Sequence, residues 1–338
     1  MQTGLAGDAL GLIGNTPLVK VKVDEFDILA KVEYVNPTGS HKDRIYLRMI
    51  EQAERQGKLR PGMTIIEGST GNAGAACAMV GSLRGYPVVV VMPEGMSEER
   101  KKLIRALGAE LILTPGAESD QDLALQRVEE IVAQNPDDYW YPAQFDNPEN
   151  PLAHYEGTAP ELWRQSGGEV DVFVAAVGSG GILTGIGRYL REQNPNVKIY
   201  AVEPSECPAL SRGEWGSHDI QGIGDGFVPG NLDLSLIDGV VTVSSAEAVE
   251  EARELCLKQG LVVGISTGCN VSAARKILRR HPDAGSVATI LFDTGQKYYT
   301  SPLFGVTEEV AIPDRDHSLD EHTTRELAKY SPGWEIIE

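Results

Sequence analysis

"MTIIEGSTGNAGAACAMVGSLRGYPVVVVMP", residues 63–93, decides the fold. It opens on a short apolar run, "MTIIE", that reads as a buried strand. The glycine-rich "GSTGN" reads as a loop, "AGAACAMVGSLRG" as a helix of small residues, and "YPVVVVMP" as a second strand. Continuous β-branched runs joined through helical segments are the pattern of a parallel sheet covered on both faces. The rhythm continues downstream. "SEERKKLIRALG" is helical, "AELILT" extended and "DQDLALQRVEEIVAQ" helical again.

The second half of the chain repeats it. "VDVFVAAV" reads as a strand, "GSGG" as a loop, "ILTGIGRYLREQ" as a helix and "VKIYAVEP" as a strand. Then come "GVVTV", the helix "SAEAVEEARELCLKQ", the apolar "LVVGI", the helix "CNVSAARKILRR" and the strand "SVATILF". The expected fold class is α/β, two three-layer domains with mostly parallel sheets. "FDNPENP", residues 145–151, is rich in Pro and Asn and marks a boundary between them. No tandem repeat of solenoid period occurs. The acidic, weakly periodic stretch after Gly305 reads either as an arm over a partner subunit or as a mobile end.

Composition narrows the function. A chain of 338 residues, 41% hydrophobic and 23% charged, is that of an ordinary soluble protein of about two domains. No apolar run approaches the ~20 residues of a membrane helix, and "MQTGLAGDAL" lacks the features of a signal peptide. The expected location is cytoplasmic. A formal net charge of −19 argues against nucleic acid as a partner. Cys77, Cys207, Cys256 and Cys269 form no CxxC pair, and the six histidines show no ligand spacing, so no metal is expected.

Three short stretches carry chemistry. "VGSGGILTG", residues 177–185, lies between an apolar strand and a helix. Converging N–H groups at a helix N-terminus make an anion site suited to a phosphate. It is no Walker loop, since no Gly-Lys-Ser/Thr follows, and Leu183 breaks the dinucleotide fingerprint after Gly178 and Gly180. Glu203 nevertheless stands where a ribose-binding acid would, which keeps a nicotinamide-dependent dehydrogenase open. The plain alternative is a tight turn packed with glycine. "EGSTGNAG", residues 67–74, repeats the arrangement with Ser69, Thr70 and Asn72, and suits a carboxylate; an ordinary helix cap explains one of its hydroxyls. Lys42, in "NPTGSHKDR", sits at a predicted helix N-terminus, where the backbone dipole repels cations. Such an amine is either a nucleophile of lowered pKa or a solvated or phosphate-binding lysine.

"IGNTPLV", "NPTGSHKDR", "STGNAG", "QFDNPENP", "VGSGGILTG", "GIGDGFVP", "GISTG" and "DTGQKYYTSPLF" follow in this order between Gly14 and Phe304. Together they resemble the cysteine synthase/cystathionine β-synthase family, pyridoxal-phosphate enzymes of the tryptophan-synthase-β fold, over about nine-tenths of the chain. The resemblance implies a cofactor cleft between a smaller, mobile substrate-binding domain, residues 40–145, and a larger cofactor-phosphate domain, residues 1–39 plus 146–310. Residues 311–338 form a C-terminal tail.

The resemblance also implies roles. Lys42 would hold pyridoxal phosphate as a Schiff base and act as the catalytic base. Gly178, Ser179, Gly180, Gly181 and Thr184 would hold the phosphate, and Asn72 the 3′ oxygen. Thr294 would face the pyridine nitrogen, with its neighbour Asp293 pointing away. Ser69, Thr70, Gly71, Ala73, Gln144 and Gly224 would bind the substrate. The implied reaction is β-replacement, giving cysteine from an O-activated serine and sulfide or a thiol. Serine–homocysteine condensation and serine/threonine dehydration are its alternatives. A homodimer and a serine acetyltransferase partner follow from the same likeness.

This sequence departs from the family at His41, which stands in place of an aliphatic residue. Ala73 and Ile182 each stand in place of a threonine. "DIQGIGDGFVP" carries Gln221 and Asp225 where phosphoserine-using relatives have an arginine. A neutral leaving group such as acetate is therefore expected.

Overall fold

A computed structural model describes residues 5–116, 120–305 and 318–338. The strands in chain order are β1 (Leu18–Val23), β2 (Phe26–Val32), β3 (Thr64–Gly68), β4 (Val88–Pro93), β5 (Glu110–Thr114), β6 (Tyr139–Trp140), β7 (Val172–Ala176), β8 (Lys198–Pro204), β9 (Gly239–Val243), β10 (Val287–Leu291) and β11 (Glu335–Ile337). The helices are α1 (Lys42–Arg55), α2 (Asn72–Leu83), α3 (Glu98–Ala106), α4 (Gln121–Gln134), α5 (Glu149–Ala153), α6 (Ala159–Gln165), α7 (Gly181–Gln193), α8 (Ala209–Arg212), α9 (Ser245–Gln259), α10 (Ile265–Arg280) and α11 (Glu321–Tyr330).

Two sheets result. One runs β5-β4-β3-β6 and is parallel throughout. The other runs β1-β2-β10-β7-β8-β9-β11 and is parallel except for the β1–β2 pair. In the smaller sheet, alternate residues of one strand serve opposite faces, as the two-residue period of a strand dictates. Ile65, Val88 and Val90 pack with Ile45, Met49 and the alanines of α2, whereas Ile66, Val89 and Val91 pack with Ala124 and Val128 of α4. Residues Ala73 to Gly81 of α2 are all buried, so its small side chains let it sit flush on the sheet.

Three features differ from the sequence reading. "LVKVKVDEFDILAKV" forms an antiparallel hairpin, β1–β2, with Asp24 at φ 53 in its turn. "LVVGI" contributes one isolated bridge, Val263 to Thr294, because Gly264 already caps α10. The C-terminal stretch is more than an end. α11 buries Leu327, and β11 adds an edge strand beside β9 through Ile336↔Val240 and Ile337↔Val241. Residues 311–317 of the expected tail lie outside the described residues.

The carboxyl ends of β3 and β7 lead into the two glycine loops, at Ser69–Gly71 and Val177–Gly180. In open parallel sheets the loops at these ends line the ligand crevice. Here they meet at one cleft.

Candidate active site

Lys42 is the first residue of α1 and lines this cleft. Its Nζ donates to Gln144 Oε1 (3.1 Å) and to Ser179 Oγ (3.3 Å). Burial lowers the amine from its ordinary range to about 8, against the pull of Asp225 and Glu67, which favour the charged form. The helix start is bolted in place by the residues after it. Arg44 pairs with Glu33 (2.7 Å) and Glu161 (2.8 Å), and Asp43 accepts the N–H of Thr38 (2.8 Å). A second lysine, Lys297, is also lowered by burial to about 8. It lies outside the cleft lining, with its Nζ on Asn72 Oδ1 (2.6 Å). Position, not pKa, distinguishes the two amines.

The loop before α7 is shaped to accept a group from the cleft. Gly180 is left-handed at φ 77, and a Cβ there would lie 2.9 Å from the Leu232 nitrogen. At Gly181 a Cβ would fall 1.9 Å from Asn150 Oδ1. No other residue type lets this backbone pack so closely against Leu232 and Asn150. Gly178, Ser179, Gly180, Gly181, Ile182 and Leu183 all line it, at the N-terminus of a 13-residue helix. Ser179 Oγ accepts from Lys42 and Asn150 Nδ2 (2.9 Å), so its own hydrogen remains available to donate. His41 lines the cleft as well, and its buried Nδ1 has no protein partner among the described residues. The free Ser179 hydroxyl hydrogen, the unpartnered His41 Nδ1 and a glycine turn at a helix start fit the phosphate of pyridoxal phosphate.

Across the cleft stand Ser69, Thr70, Asn72, Ala73 and Gln144. Ser69 Oγ accepts from the N–H groups of Gly71 (3.0 Å) and Gly74 (2.8 Å), which fixes the turn into α2. Gly71, at φ 152, faces Arg100 and is not part of the lining.

Five other residues singled out in the sequence stand elsewhere. The Thr184 hydroxyl donates to the Asn231 carbonyl (2.7 Å) and accepts from the Asp233 N–H (2.9 Å), so it braces a neighbouring loop. Gly224 gives its carbonyl to His218 and its N–H to Val177. Thr294 caps the short turn at residues 295–298 and accepts from the Gln296 N–H (3.3 Å). It does not line the cleft; Ser266, from "GISTG", does. Asp293 points to Asn72 Nδ2 (2.7 Å). Glu203 binds the N–H groups of Leu210 (2.6 Å) and Ser211 (2.9 Å) at the start of α8, away from the cleft, which removes the acid a nicotinamide ribose would need.

Several lining residues carried no assigned role in the sequence reading: Ser266, Arg100, Gln121 and His154. Ser266 lay in a quoted motif. The other three come from helices whose apolar patterns say nothing about a cleft. Among the described residues no group of His, Cys, Asp or Glu could hold a metal, and no helix is long and apolar enough to cross a membrane.

A family model described as pyridoxal-phosphate dependent enzyme matches residues 9–293. A Staphylococcus aureus cysteine synthase is 43% identical over 298 residues, 87% of this chain and 95% of that protein. The crystal structure of a cysteine synthase (OASS) from Entamoeba histolytica superposes with a TM-score of 0.85 at 33% identity, covering 98% of this chain and 97% of that one. An O-acetylserine dependent cystathionine beta-synthase from Helicobacter pylori gives a TM-score of 0.83 at 37% identity, over 89% of this chain and 100% of that one.

Proposed function

The chain belongs to the pyridoxal-phosphate dependent enzyme family, and from that premise we propose that it makes L-cysteine from O-acetylserine and sulfide by β-replacement. One observation carries the reading. The Lys42 amine spans the cleft between Gln144, beside the carboxylate-type loop, and Ser179 in the phosphate-type loop. An amino acid held by both loops would lie against that amine.

Pyridoxal phosphate, when bound, supplies an electron sink that acidifies the α-carbon of an amino acid. The N–H groups at the start of α7 and the Ser179 hydroxyl would hold its phosphate, Asn72 its phenolic oxygen and Ser266 its ring nitrogen. A serine hydroxyl cannot keep a full proton on that nitrogen, which favours loss of a β-substituent over transamination. Ser69, Thr70 and Gln144 would hold the substrate carboxylate. With its pKa near 8, roughly a tenth of Lys42 is neutral at pH 7, enough to take the α-proton and later return it. Residues 40–145 would then be the substrate-binding part, and residues 1–39 with 146–310 the cofactor-phosphate part.

The donor follows from charge. Gln221 and Asp225 line the cleft, and burial pushes the Asp225 carboxyl up to about 6, leaving it largely ionised at neutral pH. Arg212 pairs with Glu338, and Arg100 is engaged by the Thr70 carbonyl (2.9 Å) and Tyr298. A phosphate dianion would therefore meet a carboxylate where acetate meets little charge. A charge-assisted bond is worth roughly 1.5–3 kcal/mol, so kcat/KM should favour O-acetylserine over O-phosphoserine by about ten- to a hundredfold.

Steady-state kinetics with O-acetylserine, O-phosphoserine and serine, each against sulfide and homocysteine, test the reading. Cysteine from O-acetylserine and sulfide is the expected best pair. A preference for homocysteine would move the protein to the cystathionine-forming reaction, as in the name of the Helicobacter pylori relative. A homodimer, a serine acetyltransferase partner and a cytoplasmic location belong to the same proposal, and sedimentation with and without the acetyltransferase tests the first two.

A further inference from the structure

Asn72 opens α2 and lines the cleft, and its amide is gripped at both ends. Oδ1 accepts from Lys297 Nζ (2.6 Å), and Nδ2 donates to Asp293 Oδ2 (2.7 Å). Both partners come from the segment after β10, in the other sheet. An ammonium has no acceptor to give and a carboxylate no donor, so the amide has one allowed orientation. Its oxygen must face Lys297 and its nitrogen Asp293. One N–H of Nδ2 then remains for the cleft.

The two partners are themselves held. Asp293 is fully buried and Lys297 is 5% exposed. Tyr298 donates its hydroxyl to Asp293 Oδ2 (2.9 Å), and Arg100 Nη2 lies 3.7 Å from the same oxygen. Ser97 Oγ ties the Lys297 carbonyl to the start of α3 (3.0 Å). Asp293 Oδ1 is buried without a hydrogen-bond partner among the described residues, so it is the contacts converging on Oδ2 that set a single arrangement.

We propose that Lys297 and Asp293 are positioning residues that lock Asn72 as a hydrogen-bond donor to the anionic phenolic oxygen of bound pyridoxal phosphate. This rests on the pyridoxal-phosphate reading above and deepens it. Asn72 unlocked could rotate its amide and offer oxygen to oxygen, which repels.

The test is a double-mutant cycle read by cofactor binding and not by turnover. Protein stripped of cofactor is titrated with pyridoxal phosphate by tryptophan fluorescence, and the visible band of the loaded protein is recorded. Asn72→Ala should weaken binding about tenfold and shift the band. Lys297→Met should do nearly the same, Lys297→Arg should restore most of the loss, and Lys297→Met added to Asn72→Ala should change neither quantity by more than about twofold. Equal weakening by Lys297→Met in both backgrounds would make Lys297 merely structural and overturn the proposal. So would an unchanged Lys297→Met beside an altered Asn72→Ala. An Asn72→Ala variant identical to wild type would instead show that Asn72 does not meet the cofactor, a failure of the underlying placement. Should Lys297→Met not fold, Asp293→Asn carries the same cycle, because an amide can both donate and accept and no longer dictates the orientation.

Discussion

Lys42 stands where a helix dipole disfavours a cation, and two side chains and its burial settle what becomes of it. Gln144 and Ser179 accept from its Nζ, and enclosure brings its pKa to about 8. Lys42→Ala should therefore abolish the visible absorbance of the loaded protein and its turnover, with the melting temperature within a few degrees of wild type. Retained colour with turnover would remove Lys42 from the chemistry. The same shift has a pH signature. A lysine lowered to about 8 becomes neutral as pH rises through 8, so cofactor uptake by the stripped protein should speed up about tenfold between pH 7 and 9 and then level off. A flat stopped-flow profile over that range would show that the neutral Lys42 amine does not limit capture. At this scale the motifs named Lys42, Ser179, Asn72 and Thr294, and the first three line the cleft while Thr294 does not. A hydroxyl's direction depends on the turn it caps, and a list of residue types does not contain that.

Helix α7 shows what an element adds. Its residues place nothing reactive in the cleft; its first turn presents N–H groups, and the left-handed Gly180 lets the chain enter the helix without a side chain in the way. Gly180→Asp would set a strained φ, a contact with Leu232 and a negative charge at the proposed phosphate position. The expected result is cofactor affinity at least a hundredfold lower, by analogy with an unpaired buried charge, read as occupancy after dialysis. Occupancy equal to wild type would place the phosphate elsewhere. The strands beside this loop were legible because both faces of each are buried, which leaves an uninterrupted apolar run. The β1–β2 hairpin is written in the alternation of "LVKVKV" as well.

The whole molecule decides the fate of the C-terminus. β11 covers the β9 edge and buries Ile337, while Glu335 accepts from the Tyr200 hydroxyl (3.0 Å) and sits 3.0 Å from His281 Nε2. Deleting residues 332–338 should lower the melting temperature by a few degrees, since full burial of one aliphatic side chain is worth about 1.5–3 kcal/mol and each kcal/mol corresponds to about 1–2 °C in a chain of this length. It also bares a strand edge, so aggregation on light scattering should rise. An unchanged melting curve would mean that β11 contributes nothing. From the sequence alone this strand was invisible: "EII" is three residues long, and its partner lies about a hundred positions earlier. The sequence by itself determined the α/β class, the two glycine loops and the lysine at a helix start, because each is written in local periodicity, in glycine placement or in one residue type. Only the tertiary structure decided that both loops open onto one cleft, that Ser266 lines it where Thr294 does not, and that Lys297 and Asp293 grip Asn72 from another sheet. Those relations join residues up to some two hundred positions apart, and side-chain direction at such range is set by packing, which no local pattern encodes.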